Sequence, residues 1–279
     1  MTGLITKLLG LSAYTGLVAI TLPHLQTLNL PSPSLKCLPQ NYTTQIVSID
    51  PLVIYIHNFL SESDIPALLA AGEPAFKPSY VYKDGRRQGT PDRTSSSAGL
   101  PLDDAAVRCV LARAERFMGA RLGRDEMGPP QLVRYTAGQR FNVHHDWYDT
   151  FQPDRAGGRD RRWNRVASFF AILEDECVGG ETWFPKVEAV APQDKAKDGP
   201  WRRLEKGGLA FKPVRGNAVF WVNLHANGTG DERVVHAGLP LAEGLKTAMN
   251  IWPKRYIGPE AWGVMEKEIV VDEAETDPV

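Results

Sequence analysis

The sequence predicts a mainly β domain with flanking helices, in the form of a sandwich or jelly roll. Glycine and proline together make up 46 of the 279 residues (25 and 21), which supplies the many turns of such a fold. After residue 130 eight short apolar or alternating runs are separated by turn residues, a spacing typical of these architectures. The runs are 132–135, 141–146, 166–173, 181–184, 209–214, 218–224, 234–239 and 247–252.

Two helices are predicted before these strands. Ser61 is a plausible cap for the first helix, and Gly72 ends it. The stronger helix begins after Asp103 or Asp104, because apolar residues then recur at intervals of three and four, and Gly123 closes it.

Three polar stretches are expected to be exposed loops. Residues 84–99 precede the stronger helix, and 152–165, with five arginines, and 192–207 interrupt the strands. Since long loops on a barrel rim often cover a site, the last two are alternatively substrate lids.

The overall composition narrows the function classes. Hydrophobic residues at 43% and charged residues at 23% are typical of a globular protein. Lys plus Arg (32) balances Asp plus Glu (33), which argues against a general nucleic-acid binder. Cys37, Cys109 and Cys177 are too few and too scattered for a disulfide scaffold or a zinc knuckle, although one disulfide is possible.

The amino-terminal region differs from the rest. Between Lys7 and Lys36 there is no charged residue, and 8–22 is almost wholly apolar but short for a membrane span. This pattern favours a secretory signal or signal anchor and hence the endoplasmic reticulum, with membrane attachment possible. The alternative is a buried helix of a cytoplasmic protein. Glycosylation sequons occur at Asn41, which fits a lumenal loop, and at Asn227, whose use is not expected so near the proposed site.

The predicted domain organisation has three parts. Residues 1–47 form the apolar segment and a linker, 48–258 form one catalytic domain, and 259–279 form an acidic tail.

The chemistry is concentrated in two places along the predicted strands. Alternate residues of a strand share a face, so His144 and Asp146 point together while His145 points away. This pair needs a further histidine from another strand, and His236, inside an apolar run, fits better than His225, which looks like a turn residue.

Two histidines and one carboxylate with open positions favour non-haem Fe(II) over structural zinc. The open positions suit a chelating 2-oxo acid and O2. Lys246 enters the next apolar run, where a buried ammonium would pair with a far carboxylate of that acid.

Ordered motifs over residues 50–256 resemble the prolyl 4-hydroxylase catalytic domain of the Fe(II)/2-oxoglutarate dioxygenases. They are RTS (93–95), RYTAGQRFNVHHDWY (134–148), GGETWFP (179–185), GNAVFWVNL (216–224), HAGLP (236–240), GLK (244–246) and NIW (250–252). Phe141 departs from a tyrosine that is common there.

This resemblance implies a double-stranded β-helix core and assigns roles to particular residues. It implies His144, Asp146 and His236 as iron ligands and Lys246 as the partner of the distal 2-oxoglutarate carboxylate. Tyr135 and Thr182 match positions that line the cosubstrate pocket, with plain core packing as the alternative, and Trp252 matches a pocket wall. Ascorbate is implied as a reductant.

The expected activity is therefore hydroxylation of an aliphatic carbon, with prolyl residues of a peptide or protein as the leading substrate. The chain shows no counterpart of the peptide-binding domain of animal collagen prolyl hydroxylases, so collagen-type substrates are not expected. Two alternatives are a small-molecule oxygenase with the same iron site and a non-catalytic binding module of the same fold. Retention of every candidate ligand argues against the binding module.

Overall fold

A computed structural model describes residues 37, 39–83, 86–119, 124–154, 158–190 and 199–261. Its helices are α1 (Asp64–Gly72), α2 (Ala105–Met118) and α3 (Arg124–Met127), with 3₁₀ turns at Glu73–Ala75 and Glu232–Val234. Its strands are β1 (Thr43–Ser48), β2 (Val53–His57), β3 (Lys77–Pro78), β4 (Val81–Lys83), β5 (Arg86–Gln88), β6 (Ser96–Gly99), β7 (Gln131–Thr136), β8 (Phe141–His144), β9 (Gln152–Pro153), β10 (Arg162–Arg165), β11 (Ala167–Glu174), β12 (Cys177–Gly179), β13 (Thr182–Phe184), β14 (Trp201–Arg203), β15 (Leu209–Phe211), β16 (Ala218–Val222), β17 (His236–Gly238), β18 (Leu241–Ile251) and β19 (Lys254–Ile257).

Two antiparallel sheets form the body of the domain. The larger sheet has the order β1-β2-β16-β11-β18-β7-β6-β3, with β12 also paired to β18. The smaller sheet has the order β14-β15-β13-β17-β8. Many neighbours in each sheet, such as β16 and β2 or β17 and β8, are distant in sequence, as in a jelly roll. The predicted mainly β fold with a jelly-roll core is confirmed.

The larger sheet is buried on both faces. Along β11, Phe169 packs in an apolar cluster with the helix residues Leu68 and Val110, whereas the next residue, Phe170, packs in a second cluster with Phe184 of the smaller sheet. Successive strand residues point to opposite faces, and both faces of β11 are buried. The sequence of β11 is therefore a continuous apolar run. Helices therefore cover one face of this sheet, and the smaller sheet covers the other.

The two main helices are held together by polar contacts as well as apolar ones. The Arg113 guanidinium, 3% exposed, lies 2.7 Å from the Asp64 carboxylate and also donates to the Phe59 carbonyl oxygen at 2.8 Å. A buried pair of this kind is costly to break from one side, because the remaining charge is left without a partner.

The boundaries of α2 follow local capping, with one correction. Asp104 caps α2 by accepting a hydrogen bond from the Val107 amide at 3.0 Å. The helix ends at Gly119 rather than at the predicted Gly123, because Gly119 adopts the left-handed conformation (φ 65°) that stops a helix.

A disulfide joins Cys37 to Cys109 on α2, across 72 residues of sequence. The sequence allowed one disulfide without choosing its partners. Cys177 is the free cysteine and is partly buried.

All three of the predicted exposed loops contain structure, and within 192–207 strand β14 pairs with β15. Within 84–99, β6 pairs with β7 in the larger sheet, and Ser95 is buried. Within 152–165, β10 pairs with β9 and β19, and the buried Arg161 contacts Asp125 and Asp154. These arginines were expected to be solvated, but the side chain of Arg161 pairs with one acid of the same loop, Asp154, and with one from another segment, Asp125.

The larger sheet also begins before residue 48, where the domain was expected to start, because β1 pairs with β2. The apolar segment 8–22 and most of the acidic tail, 262–279, lie outside the described residues. Among the described helices none has both the length and the apolar character to span a bilayer.

Candidate metal centre

Two histidines face each other on neighbouring strands of the smaller sheet. His144 ends β8, His236 begins β17, and the antiparallel register places them directly opposite each other. Their ring centroids are 4.3 Å apart. Cross-strand neighbours at this spacing can direct two imidazoles at one point.

The Asp146 carboxylate reaches the same point. One potential ligand atom from each of His144, Asp146 and His236 lies within 4.8 Å of the others, and Asp146 Oδ2 is 3.9 Å from His236 Nε2. Within the described part of the chain, these three residues form the one cluster of His, Cys, Asp or Glu side chains that could hold a metal ion. His225 lies outside it, partly exposed and 3.8 Å from Asp231.

Backbone carbonyls orient both imidazoles. His144 Nδ1 lies 2.8 Å from the Asn142 carbonyl oxygen, and His236 Nδ1 lies 3.1 Å from that of Val234. Donation from Nδ1 leaves each Nε2 as the unprotonated nitrogen that a metal requires.

The carboxylate is held by two side-chain donors. Asp146 Oδ2 accepts hydrogen bonds from Ser168 Oγ at 2.7 Å and from Trp252 Nε1 at 3.0 Å. Ser168 Oγ in turn accepts from Asn223 Nδ2 at 2.9 Å. These contacts fix the orientation of the carboxylate toward the two histidines.

The protonation states suit metal binding. Burial, together with the nearby His236, lowers the pKa of His144 to about 3. Burial by itself would raise the pKa of Asp146, but His236, His144, Arg165 and the Ser168 hydrogen bond outweigh it and lower that pKa to about 2. At neutral pH the site therefore offers a neutral imidazole and an ionised carboxylate, which are the forms that bind metal ions.

Aromatic rings hold the two histidines in place. Phe141 stacks on His144 with centroids 3.5 Å apart, and Trp221 and Phe184 contact His236 at 4.8 and 5.3 Å. The phenylalanine at 141 thus packs against a candidate ligand without adding a polar group.

Lys246 lies on β18, opposite Tyr135 of β7, and is only 1% exposed. Its Nζ donates to the Gly180 carbonyl oxygen at 2.6 Å, and no carboxylate of a described residue lies within 4 Å of it. Burial lowers the pKa of Lys246 to about 8. A buried ammonium with one neutral acceptor fits the distal carboxylate of 2-oxoglutarate, which would supply the missing charge.

Tyr135 and Thr182 line one cavity of about 1140 Å³ with the three metal-directed residues. Both are 5% exposed. The Tyr135 ring centroid is 5.5 Å from Lys246 Nζ, and burial raises the pKa of its hydroxyl. The structure therefore brings all six sequence-predicted site residues to one side of the fold, between the two sheets.

Two arginines in the cavity were not predicted as site residues. Arg93 has an Nε that is buried without an acceptor, and burial lowers the pKa of its guanidinium. Arg165 stacks on Trp252, with its guanidinium carbon 3.8 Å from the ring centroid. Among the described residues neither has a carboxylate within 4 Å. Arg93 lies in the RTS motif, and Arg165 lies in the arginine-rich stretch for which a substrate lid was the alternative prediction, but neither arginine was singled out.

Ser168 and Asn223 were also missed. Ser168 lies in an apolar run and looks like a packing residue, and Asn223 carried a signal only as part of a longer motif. Their role becomes visible only when the fold places them behind Asp146.

Two antiparallel sheets around a two-histidine, one-carboxylate cluster define the class of non-haem Fe(II) enzymes. Comparison with known proteins agrees with this class. The model described as "2OG-Fe(II) oxygenase superfamily" matches residues 130–254.

Individual relatives narrow the family. "Probable prolyl 4-hydroxylase 6" of Arabidopsis thaliana is 30% identical over 74% of this chain and 70% of its own length. "Prolyl 4-hydroxylase 1" of the same organism is 30% identical over 77% and 73%. Among solved structures, the viral collagen prolyl hydroxylase of Paramecium Bursaria Chlorella virus-1, in complex with 2OG, superposes with a TM-score of 0.50 at 20% identity, over 72% of this chain and 95% of that chain. At this identity the superposition shows a shared fold.

The chain therefore belongs to the prolyl 4-hydroxylase-like 2OG-Fe(II) oxygenases. The predicted family, enzyme class, Fe(II) and 2-oxoglutarate are confirmed at this level, and the non-catalytic alternative is not supported.

Proposed function

We propose that this enzyme hydroxylates prolyl residues of a peptide or protein. One observation carries the proposal: the metal-directed cluster shares one side of the fold with a buried lysine and two arginines that have no carboxylate partner among the described residues, in a chain related to prolyl 4-hydroxylases. The reaction consumes the prolyl C–H, 2-oxoglutarate and O2 and yields the hydroxyprolyl residue, succinate and CO2.

In this proposal His144, Asp146 and His236 are the iron ligands. When bound, ferrous iron supplies the activation of O2 that couples decarboxylation of 2-oxoglutarate to C–H hydroxylation. The protein directs Nε2 of both histidines and one oxygen of Asp146 to a common point, and three protein ligands leave positions for 2-oxoglutarate and O2.

Lys246 binds the distal carboxylate of 2-oxoglutarate in the proposed complex. Its ammonium is fixed by Gly180, and Tyr135 and Thr182 form adjacent walls. Closing an ion pair in this dry environment orients the cosubstrate and excludes water from the reacting end.

Arg93 and Arg165 are proposed to bind the substrate. Peptide carbonyl oxygens accept hydrogen bonds from guanidinium groups, and Arg93 Nε is a buried donor that still needs an acceptor. Arg165 is held by Trp252 and donates to the Asp146 carbonyl oxygen at 3.2 Å, so it links the substrate side of the cavity to the metal side.

The same arginine pair favours one second candidate function. An unpaired guanidinium also binds the carboxylate of a free amino acid or another small acid. A small-molecule oxygenase would use the same metal site and the same lysine.

Substrate-dependent succinate release tests both functions. The purified enzyme is incubated with Fe(II), ascorbate and 2-oxoglutarate, together with either terminally blocked proline-containing peptides or free amino acids. Succinate release with a gain of one oxygen on a peptide proline is expected. Stimulation by free acids but by no blocked peptide would contradict the prolyl proposal in favour of the second function.

Ascorbate is proposed as the reductant that returns oxidised iron to the ferrous state. Its support is the family resemblance. Succinate formation over many turnovers should decline sooner when ascorbate is omitted.

The lumen of the endoplasmic reticulum is the proposed location. The apolar segment 8–22 and the Cys37–Cys109 disulfide support it, because disulfides persist in oxidising compartments. Membrane attachment through the same segment is part of the proposal. Protease protection in intact microsomes, followed by carbonate extraction, tests both. A reduced protein in the cytosolic fraction would contradict them.

A further inference from the structure

The turn at 224–230 carries a glycosylation sequon that the proposed catalytic function does not use. Leu224 bridges Gly230, and the His225 amide donates to the Thr229 carbonyl oxygen at 2.8 Å. From the sequence, use of this sequon was not expected because it lies near the candidate ligands. In the structure, however, Asn227 and Thr229 are both exposed at the end of this turn.

The turn presents the Asn227 side chain with its nitrogen free. Asn227 Oδ1 accepts from the Thr229 amide at 3.0 Å and from Thr229 Oγ1 at 2.7 Å. No acceptor among the described residues lies within hydrogen-bond distance of Asn227 Nδ2. Gly228 between them has φ 90°, a conformation that leaves the tip of the turn without a side chain beside the amide.

The backbone of the turn also lies against the rest of the protein. A side chain on Gly228 would contact the Phe151 ring at 3.3 Å, and Arg255 donates to the Ala226 carbonyl oxygen at 3.0 Å. The turn therefore packs on the protein through its backbone, and the amide of Asn227 faces solvent. A bulky polar group on Nδ2 would displace none of the hydrogen bonds or packing contacts described here.

The disulfide that supports the lumenal location also supports exposure of the chain to the modifying machinery. A bond between Cys37 and Cys109 indicates an oxidising compartment, which is also where N-linked glycans are added to Asn-X-Ser/Thr sequences.

We propose that Asn227 is the acceptor of an N-linked glycan. The inference rests on the lumenal location proposed above and is independent of the substrate. In the transfer, Asn227 Nδ2 forms a bond to the anomeric carbon of a polyprenyl-diphosphate-linked oligosaccharide. The bond from that carbon to the diphosphate oxygen breaks, Nδ2 loses one proton, and the protonated polyprenyl diphosphate leaves.

Site-resolved mass spectrometry tests the proposal. The full chain with its own amino terminus is produced in a eukaryotic secretory host and treated with peptide N-glycosidase in H2¹⁸O, which converts a glycosylated asparagine to ¹⁸O-labelled aspartate. Label at position 227 is expected in the natural sequence. Thr229→Ala should abolish the label, and Thr229→Ser should retain it because the hydroxyl is kept. Asn41→Gln leaves the label at 227 unchanged.

A second preparation, expressed with a host signal peptide, distinguishes a wrong acceptor assignment from a wrong location. An unlabelled Asn227 in a chain whose disulfide is formed and which is protease-protected would overturn the acceptor assignment. Label that appears only with the host signal would overturn both the lumenal location and the modification of the natural protein. Succinate release by the same preparations reports on the proposed catalytic function independently of either result.

Discussion

The two ends of the cosubstrate region are both buried, yet they satisfy their charged groups differently. At the metal end, the Asp146 carboxylate already accepts from Ser168 and Trp252. At the other end, the Lys246 ammonium donates to the Gly180 carbonyl oxygen, a neutral acceptor, and no carboxylate of a described residue lies within 4 Å of it. The metal end is thus preassembled by the protein, whereas the lysine end is completed only when an anion binds.

This difference predicts two kinds of mutational effect. Removing a group at the metal end should impair metal binding and all later steps. Removing the group at the lysine end should impair binding of 2-oxoglutarate while leaving the metal site intact, and should relieve an unpaired buried charge in the free protein.

The largest expected effect comes from His236→Ala and Asp146→Asn. Each removes one of the three proposed ligands, so succinate release should fall to background and bound iron, measured by metal analysis, should be lost. His225→Ala is the matched control, since that histidine is partly exposed and outside the cluster. Full activity in both ligand variants would contradict the assignment.

Lys246→Met should act at the other end. Loss of one partner of a buried ion pair costs roughly 3–5 kcal/mol, so the 2-oxoglutarate requirement should rise by about two to four orders of magnitude. Iron binding should be retained, and the free protein should be at least as stable in urea as the natural one.

Lys186→Met is the control for this substitution, because Lys186 is an exposed lysine paired with Glu232. An unchanged affinity for 2-oxoglutarate in Lys246→Met would contradict the proposed difference between the metal end and the lysine end.

The pH dependence sharpens the same comparison. The pKa of Lys246 is lowered from 10.5 to about 8 in the free protein, and the carboxylate needs the ammonium form. Affinity for 2-oxoglutarate should therefore fall above pH 8, by up to about tenfold per pH unit. Calorimetric titration between pH 7 and 10 measures this, and the slope should vanish in Lys246→Met.

Stability should change in the opposite direction over this window. Between pH 8 and 10.5 the unfolded chain binds more protons at Lys246 than the folded chain, so this group makes the free energy of unfolding rise with pH. Urea unfolding of the free protein and of Lys246→Met isolates the contribution.

The smallest effect is expected from Ser168→Ala. It removes one of two donors to Asp146 Oδ2 and should weaken iron binding by about 10–100-fold, a typical cost for a residue that orients a metal ligand. Trp252→Phe removes the other donor and should act in the same direction. Affinity for 2-oxoglutarate at saturating iron should not change in Ser168→Ala. If Ser168→Ala weakened this affinity as much as Lys246→Met does, the metal end and the lysine end would not act separately.

The sequence predicted the parts of the molecule that repeat or alternate. Alternation placed His144 and Asp146 on one face, and the helical stripe located α2. Neither rule says which distant segments pair with each other. The sequence therefore only required a further histidine from another strand, and the fold shows that His236 lies opposite His144 in the antiparallel register.

The elements that were missed lack a local signal. Strand β6 consists of Ser96–Gly99 and is held by its pairing with β7 rather than by an apolar pattern. Arg161 was expected to be solvated because one of its partners, Asp125, comes from another segment, and the pairing with Asp154 of the same loop forms only in the fold. Ser168 looked like a packing residue because its partner, Asp146, lies 22 residues earlier in the chain.

Strand β18 carries Lys246 and leads directly to Trp252, with Ala248 and Asn250 on the same face between them. Within a strand a side chain can be relocated on one face only in steps of two residues, about 6.6–6.8 Å. A step of that size far exceeds the length added by one methylene group. Moving this lysine along the strand therefore cannot adapt the enzyme to a slightly shorter or longer dicarboxylate. A single inserted residue would turn either Lys246 or Trp252 toward the helices.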